Sequence, residues 1–204
     1  MTVKIPTKVL KRLTLYHSML TELSEIGLKV VTSKQLSSRL RVDDSQVRKD
    51  IKMVSSGGGR CRVGYEIKSL KRSIEKKLGF ASEKKAVVIG AGGLGSAIAR
   101  YDNFNDYGLN IIALFDVDKD KIDTKVSDKN IYHMDKLSEI VKDEDVKIVI
   151  LSAPKAAAQG IVNMLDGLDI EYIWNFTPSV IKVPEGVLLR NESLVANFLR
   201  LVHS

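Results

Sequence analysis

Apolar residues fall at helical spacing through the front of this chain and in β-branched runs from the middle onward. Between Pro6 and Ile26, Val9, Leu10, Leu13, Tyr16, Leu20 and Leu23 recur three and four apart until Gly27, which predicts an amphipathic helix. Val30-Val31 leads into Thr32-Ser33, an N-cap pair for a short helix carrying Leu36 and Leu40. Arg41-Val42 predicts a turn, and Asp43 or Asp44 caps the next helix, residues 45–54, whose inner face is Val47, Ile51 and Val54. Two short helices across a tight turn are a helix-turn-helix layout. After the glycines at 57–59, Val63, Tyr65 and Ile67 alternate as a strand would, and a basic helix over 68–78 stops at Gly79.

From residue 86 the pattern alternates between buried strands and helices. Strands are expected at 86–89, 109–115, 131–133, 146–151 and 172–174. Helices are expected at 94–101, around Leu137, Ile140 and Val141, and over 155–165. Such alternation builds a parallel, doubly wound sheet. A last helix over 192–202 carries Leu194, Val195, Phe198, Leu199 and Val202. A stripe this apolar must dock, either on its own sheet or on a second subunit; the pattern favours neither.

The first of these strands runs straight into Gly90-Ala91-Gly92-Gly93-Leu94-Gly95, a G-x-G-x-x-G turn. Its first glycine permits the tight strand-to-helix turn, the second lets backbone approach a pyrophosphate, and the third lets helix and strand pack closely. The next strand ends in Asp116, 26 residues beyond Gly90, where a carboxylate can accept from an adenosine ribose and repel a 2′-phosphate. The expected cofactors are therefore NADH and NAD+ rather than their phosphorylated forms. Val117 and Lys119 sit in a polar loop positioned to close over the adenosine. Ligands of doubly wound sheets lie beyond the carboxyl ends of the strands, which nominates Ser152-Ala153-Pro154 and Asn175-Phe176-Thr177 as a nicotinamide pocket. Asn175 would bond a carboxamide and Phe176 pack on the ring. His133 is either a cofactor or sheet-edge ligand or a structural histidine.

Charge changes the picture of the front segment. Overall the 204 residues carry +7, but residues 1–84 hold 19 Lys and Arg against 8 Asp and Glu, a net +11. Residues 85–204 hold 13 against 17, a net −4. A basic module on a slightly acidic one reads as a polyanion binder joined to something else. The outward positions of the second short helix, Ser45, Gln46, Arg48, Lys49 and Lys52, are types that read base edges or hold phosphate in the major groove. The glycines around Arg60 and Arg62, followed by Val63, Tyr65 and Ile67, read as a hairpin wing or else an interdomain linker; arginine at a wing tip can enter a narrow minor groove. Cys61 lies between the two arginines, either a reactive thiol or a small side chain in a turn; as the single cysteine it rules out an internal disulfide framework and suits a reducing cytoplasm. No apolar run reaches the ~20 residues of a membrane span, and no secretory leader is apparent.

Catalysis has little to stand on. The histidines, His17, His133 and His203, are scattered, and with one cysteine they predict no metal site. Tyr132-His133-Met134-Asp135-Lys136 matches a Y-x-x-x-K pair but follows Gly90 by only 42 residues, at a strand-to-helix junction, where it is coincidental. The competing class is an NAD-dependent oxidoreductase with a basic accessory domain.

Taken in order, Ile5-Pro6 with Arg12-Leu13, Ser45-Gln46-Val47-Arg48-Lys49-Asp50, Arg62-Val63-Gly64-Tyr65, the glycine turn, Phe115-Asp116-Val117-Asp118, Tyr132-His133-Met134-Asp135, Asn175-Phe176-Thr177-Pro178 and Val183-Pro184-Glu185-Gly186-Val187 resemble the Rex-type redox-sensing transcriptional repressors of bacteria. The resemblance implies an α/β chain: a winged helix-turn-helix domain (1–80), a Rossmann-type parallel-sheet domain (85–191) and a C-terminal helix (192–204) exchanged between the subunits of a homodimer. It implies a palindromic double-stranded operator bound without NADH and released when NADH binds, with Phe198 reaching the partner's pocket and no catalysis. The chain departs from that family at Met53-Val54-Ser55-Ser56-Gly57-Gly58-Gly59, where members carry an aromatic and acidic segment. It departs again at Ser193, near which they often carry an acid.

Overall fold

A computed structural model describes residues 5–55 and 64–203. The chain divides into two compact units, Met1–Ala81 and Ser82–Ser204.

The first unit is built on α1 (Thr7–Glu25), whose Leu13, Tyr16 and Leu20 are fully buried. β1 (Val30–Val31) precedes α2 (Ser33–Leu40), which begins in a reciprocal capping box: Thr32 Oγ1 accepts from the Gln35 N–H while Gln35 Oε1 accepts from the Thr32 N–H. Arg41, left-handed at φ 52°, turns the chain, and the Asp43 carboxylate caps α3 (Asp44–Val54). Val47 and Ile51 of α3 join Leu36 and the α1 residues in one core. β2 (Tyr65–Glu66) pairs antiparallel with β1, Val31 opposite Tyr65. Gly64, at φ +91°, passes so near the Val31 carbonyl that a Cβ would lie 2.7 Å from its oxygen.

Ile67 does not continue the strand. It opens α4 (Ile67–Leu78), because Ile67, Leu70 and Ile74 at i, i+3 and i+7 form the helix's buried face; Gly79 ends it in the left-handed conformation. The expected wing tip, with Arg60, Cys61, Arg62 and Val63, lies outside the described residues.

The described strands of the second unit are β3 (Lys84–Ile89), β4 (Leu109–Asp116), β5 (Lys125–Val126), β6 (Lys129–His133), β7 (Ile148–Leu151), β8 (Tyr172–Asn175) and β9 (Leu188–Asn191), in the sheet order β5-β6-β4-β3-β7-β8-β9. All pairs are parallel except β5 with β6. α5 (Gly93–Ala99) and a 3-10 turn at Asp102–Tyr107 connect β3 to β4; α6 (Leu137–Asp143) and α7 (Ala158–Asn163) precede β7 and β8. Val87, Ile89 and Val149 face one core, Ala86, Val88 and Ile150 the other, as strand alternation requires. The order runs outward from β3 to β4 on one side and to β7 on the other, so the sheet reverses between β3 and β7.

Three elements are shorter than their apolar spans. α5 ends at Ala99 because Asp102–Tyr107 tightens into 3-10 geometry, and α7 begins only at Ala158 because residues 155–157 form a turn on the Pro154 carbonyl. β7 starts at Ile148, since the Val146 N–H still closes onto Val141 O at the end of α6. α8 (Leu194–Val202), capped by Ser193 Oγ on the Ala196 N–H, has no buried residue; Leu194, Val195, Phe198 and Leu201 are all more than half exposed.

Replacing Thr32 with Ala removes the side-chain half of the capping box and is expected to lower the stability of the first unit by about 1 kcal/mol, read by urea unfolding followed by circular dichroism.

Candidate functional site

The carboxyl ends of β3, β4 and β7 converge where the sheet order reverses, and they are stitched together there. Gly90 adopts φ +102°, and a Cβ on it would meet Ser152 O at 2.8 Å. A Cβ on Gly95 would overlap the Gly90 carbonyl oxygen and lie 2.6 Å from Ser152 Oγ. Ser152 closes the turn, its hydroxyl donating to Gly90 O at 2.8 Å and its N–H to Ile89 O. Gly92 and Gly93, by contrast, have nothing within 4 Å of a Cβ position and are exposed. Two glycines of the turn are demanded by packing, and the two at its tip leave open space of the kind a phosphate needs.

Asp116 is tied to this turn. Its Oδ2 accepts from the Ala91 N–H at 2.8 Å and from Lys121 Nζ at 3.4 Å, and its Oδ1 from the N–H groups of Val117 and Asp118 at 2.8 and 3.0 Å. Burial pushes the carboxyl up, but the three backbone donors and the Lys121 ammonium outweigh it, and its pKa lies below the ordinary value. Lys121 also pairs with Asp118 at 3.1 Å, which fixes the loop that carries Val117 and Lys119.

Beside Asp116 opens a cavity of about 350 Å³, lined by Gly90, Val117, Met134, Ala153, Pro154 and Met164 among others. Among the described residues that line it, Asp116 alone is charged. Sequence reasoning did not find the α7 side of this wall. Ala157, Gly160, Ile161 and Met164 line it at i, i+3, i+4 and i+7, a helical stripe that could have been read as a face.

The predicted residues are thus not all gathered in one place. Ala153 and Pro154 line the cavity with Asp116 and Val117, whereas Asn175-Phe176-Thr177, at the adjacent strand end where Asn175 pairs opposite Leu151, do not. The Asn175 carboxamide is 1% exposed and fully engaged. Its Nδ2 donates to Ser179 O and Asn191 Oδ1, and its Oδ1 accepts from the N–H and hydroxyl of Thr177. It shapes the β8 tip and holds no free polar atom for a ligand. Phe176 packs on Trp174 with centroids 4.9 Å apart. His133 lies opposite Asp116 in register, with Nδ1 2.9 Å from Asp135 Oδ2. Leu94, Lys119 and Phe198 are exposed and outside the cavity. Among the described residues no group of His, Cys, Asp and Glu could hold a metal ion, and no helix is long and apolar enough to cross a membrane.

In the first unit, Lys49 and Lys52 of α3 are exposed, as is Arg48, which pairs with Asp44 one turn back. The Ser45 hydroxyl is used in the cap, donating to Asp43. Gln46 differs from expectation: it is half-buried, and its Nε2 donates to Asp50 Oδ1 at 2.8 Å. Asp50, 1% exposed, also accepts Arg12 Nε and Nη2 at 2.6 and 2.9 Å and the Tyr16 hydroxyl at 3.0 Å. Burial raises the Asp50 carboxyl, but these three partners more than offset it and keep it below the ordinary range. Sequence reasoning missed Arg12, Tyr16 and Asp50. The signal was there: a carboxylate three residues beyond Val47, on the apolar stripe of α3.

Residues 4–51 match a family model described as a putative DNA-binding protein N-terminus, and residues 81–179 match one described as a CoA binding domain. The redox-sensing transcriptional repressor Rex of Bacteroides thetaiotaomicron is 38% identical over 194 residues, 95% of this chain and 88% of that protein. The chain belongs to the Rex family of redox-sensing transcriptional repressors. Rex of Desulforamulus reducens is 36% identical over 191 residues, 94% of this chain and 90% of that one. RSP, a Rex-family repressor crystallised with β-NAD+ and operator DNA, is 31% identical, with a TM-score of 0.87 over 98% of this chain and 92% of its own. The RSP complex with β-NADH gives 0.83 over 98% and 94%. Members of the Rex family are regulators, and the two units described above are the parts of this chain that the relatives cover.

Gly95→Ala is expected to destabilise the second unit by about 1–3 kcal/mol through the forced overlap with Gly90, read by thermal unfolding. Asp116 has a lower pKa folded than unfolded, so its stabilisation is present above the ordinary carboxylate value of about 3.9 and is lost as pH falls through the depressed folded value. Against Asp116→Asn, the wild-type stability advantage in urea should narrow from about pH 7 to about pH 3.

Proposed function

We propose that this chain is a transcriptional repressor that senses the ratio of NADH to NAD+, binding a palindromic double-stranded operator without NADH and leaving it when NADH binds. The observation that carries the reading is the cavity at the sheet reversal, with the anchored Asp116 carboxylate beside a glycine turn, in a chain whose other unit presents a lysine-bearing helix-turn-helix. The adenine occupies the cavity between Val117, Pro154 and the α7 stripe, and Asp116 accepts from the ribose in place of the long Lys121 contact. The tip glycines, Gly92 and Gly93, face the pyrophosphate with the Ala91 and Leu94 backbone on either side. Ser152 and the Asn175–Thr177 corner, braced by its own hydrogen bonds, frame the nicotinamide end. His133 and Lys119 stand at the adenosine rim.

Lys49, Lys52 and Arg48 of α3 meet the major groove, with Ser45 and Gln46 at the helix start and Arg60 and Arg62 in the minor groove. The exposed apolar α8 supports a homodimer in which this helix is exchanged and Phe198 reaches the partner. Two-fold pairing spaces two recognition helices for two half-sites. The reduced and oxidised cofactors differ in the charge of the nicotinamide ring, and burying the cationic form costs desolvation. To move the dimer from 99% to 1% operator-competent, NADH must favour one subunit arrangement by about 5.5 kcal/mol. The protein works in the cytoplasm and is not an enzyme. Lys136 Nζ lies over the Tyr132 ring, 5.6 Å from its centroid, and the Tyr132 hydroxyl accepts from Asn130.

Trp174 is the single tryptophan, and energy transfer from it to bound NADH gives a direct titration. Asp116→Ala should weaken NADH binding about tenfold, the loss of one charge-assisted hydrogen bond. On a palindromic duplex at fixed salt, NADH should release the wild type and NAD+ should not; NADH-independent affinity, or sustained oxidation of NADH by a small carbonyl, overturns the reading. Lys49→Gln should lower the slope of log affinity against log salt by about 1.

A further inference from the structure

The buried carboxylate on α3 has a use beyond holding the first unit together. All four lone-pair positions of Asp50 are filled, two by Arg12, one by the Tyr16 hydroxyl and one by Gln46 Nε2. An ionised carboxylate only accepts, so the Gln46 amide has a single allowed orientation, nitrogen inward and oxygen away. Among the described residues Gln46 Oε1 has no hydrogen-bond partner, and one N–H of Nε2 remains unused. Arg12 and Tyr16 come from α1, four residues apart on its inner face, so the clamp joins the outward-reading helix to the centre of the core.

We propose that Asp50, held by Arg12 and Tyr16, is a positioning residue that presets the Gln46 carboxamide as an adenine reader and so helps determine which operator the protein prefers. The free oxygen and the remaining N–H match the N6 amino donor and N7 acceptor that adenine presents in the major groove. An unrestrained glutamine would have to freeze several torsions on meeting a base. Here that ordering is already present in the free protein, so discrimination against other bases is sharper. Lys49 and Lys52, which carry no such restraint, supply attraction that every sequence shares. The inference rests on the DNA-binding reading above.

The test uses the full-length protein. Duplexes are selected from a random pool, and adenines of the best site are replaced in turn by purine, which lacks the N6 amino group. One adenine per half-site should lose roughly tenfold in wild-type affinity on replacement. In Gln46→Ala the two duplexes should bind alike. In Asp50→Asn, and in Arg12→Lys, the ratio should fall to about threefold or less, while the salt slope stays at the wild-type value. A purely structural role for Asp50 would not produce that combination. The Gln46 side-chain amide resonances of the free wild type, assigned by their loss in Gln46→Ala, should show one ordered, slowly exchanging NH2 pair. The proposal is overturned if Gln46→Ala keeps the wild-type ratio, if folded Asp50→Asn or Arg12→Lys keeps it, or if the Gln46 amide is as mobile as an exposed glutamine. Enrichment of no duplex by the wild type would overturn the DNA-binding reading instead, with the amide resonances still deciding whether the clamp exists.

Discussion

The Gly90 carbonyl lies so close beneath the Cα of Gly95 that no side chain fits between them, and much of the second unit is arranged around that contact. It brings the first turn of α5 down onto the end of β3. With the turn held there, the Ala91 N–H points at Asp116 and ties the tip of β4 to the tip of β3. Ser152 completes the arrangement from β7 by bonding the same carbonyl. Three parallel strands that would otherwise end independently are registered at one point, and the apolar cavity opens beside it. Electrostatics and sterics cooperate here: the glycines bring the backbone donors close, and the donors hold a carboxylate ionised in a place that burial alone would disfavour.

The first unit solves a similar problem with the opposite material. Its fold is small, and a two-stranded pairing and short helices supply few backbone bonds across elements. A buried ion pair with complete hydrogen bonding joins α1 to α3 instead. Such a pair adds little net stability over an apolar replacement, but breaking it from one side leaves an uncompensated charge that costs about 3–5 kcal/mol. What it supplies is a single geometry, which a greasy contact between the same helices would not impose.

Much of this was legible in the residues themselves. The period of α1, the Thr32 and Asp43 caps, the parallel sheet implied by alternating elements and the need for glycine at 90 and 95 were readable, because periodicity, capping and the spacing of a glycine turn are all written within a short stretch of chain. What was missed depends on distant partners. Nothing near Asp50 says that Arg12, 38 positions earlier, would meet it. Asn175 looked available because the bond that completes its engagement, to Asn191 Oδ1, depends on the β8–β9 pairing; its other partners, Thr177 and Ser179, lie only two and four residues on. Ile67 was read as strand because alternation and helical spacing share a residue at the start of α4. That Ala153 and Pro154 share a cavity wall with Asp116 was not foreseen, because a strand end indicates depth along the sheet and not which side of the reversal it faces.

The Asp50 cluster carries one more consequence, for how such a reader can change over time or be rebuilt. Since its counter-charge and its phenol sit on α1, α3 is not a detachable cartridge. Moved alone into another scaffold, it would bring an acid into a greasy interior with no arginine to meet it. Rebuilding α3 therefore leaves its outer positions open to single exchange and ties Asp50 to Arg12 and Tyr16.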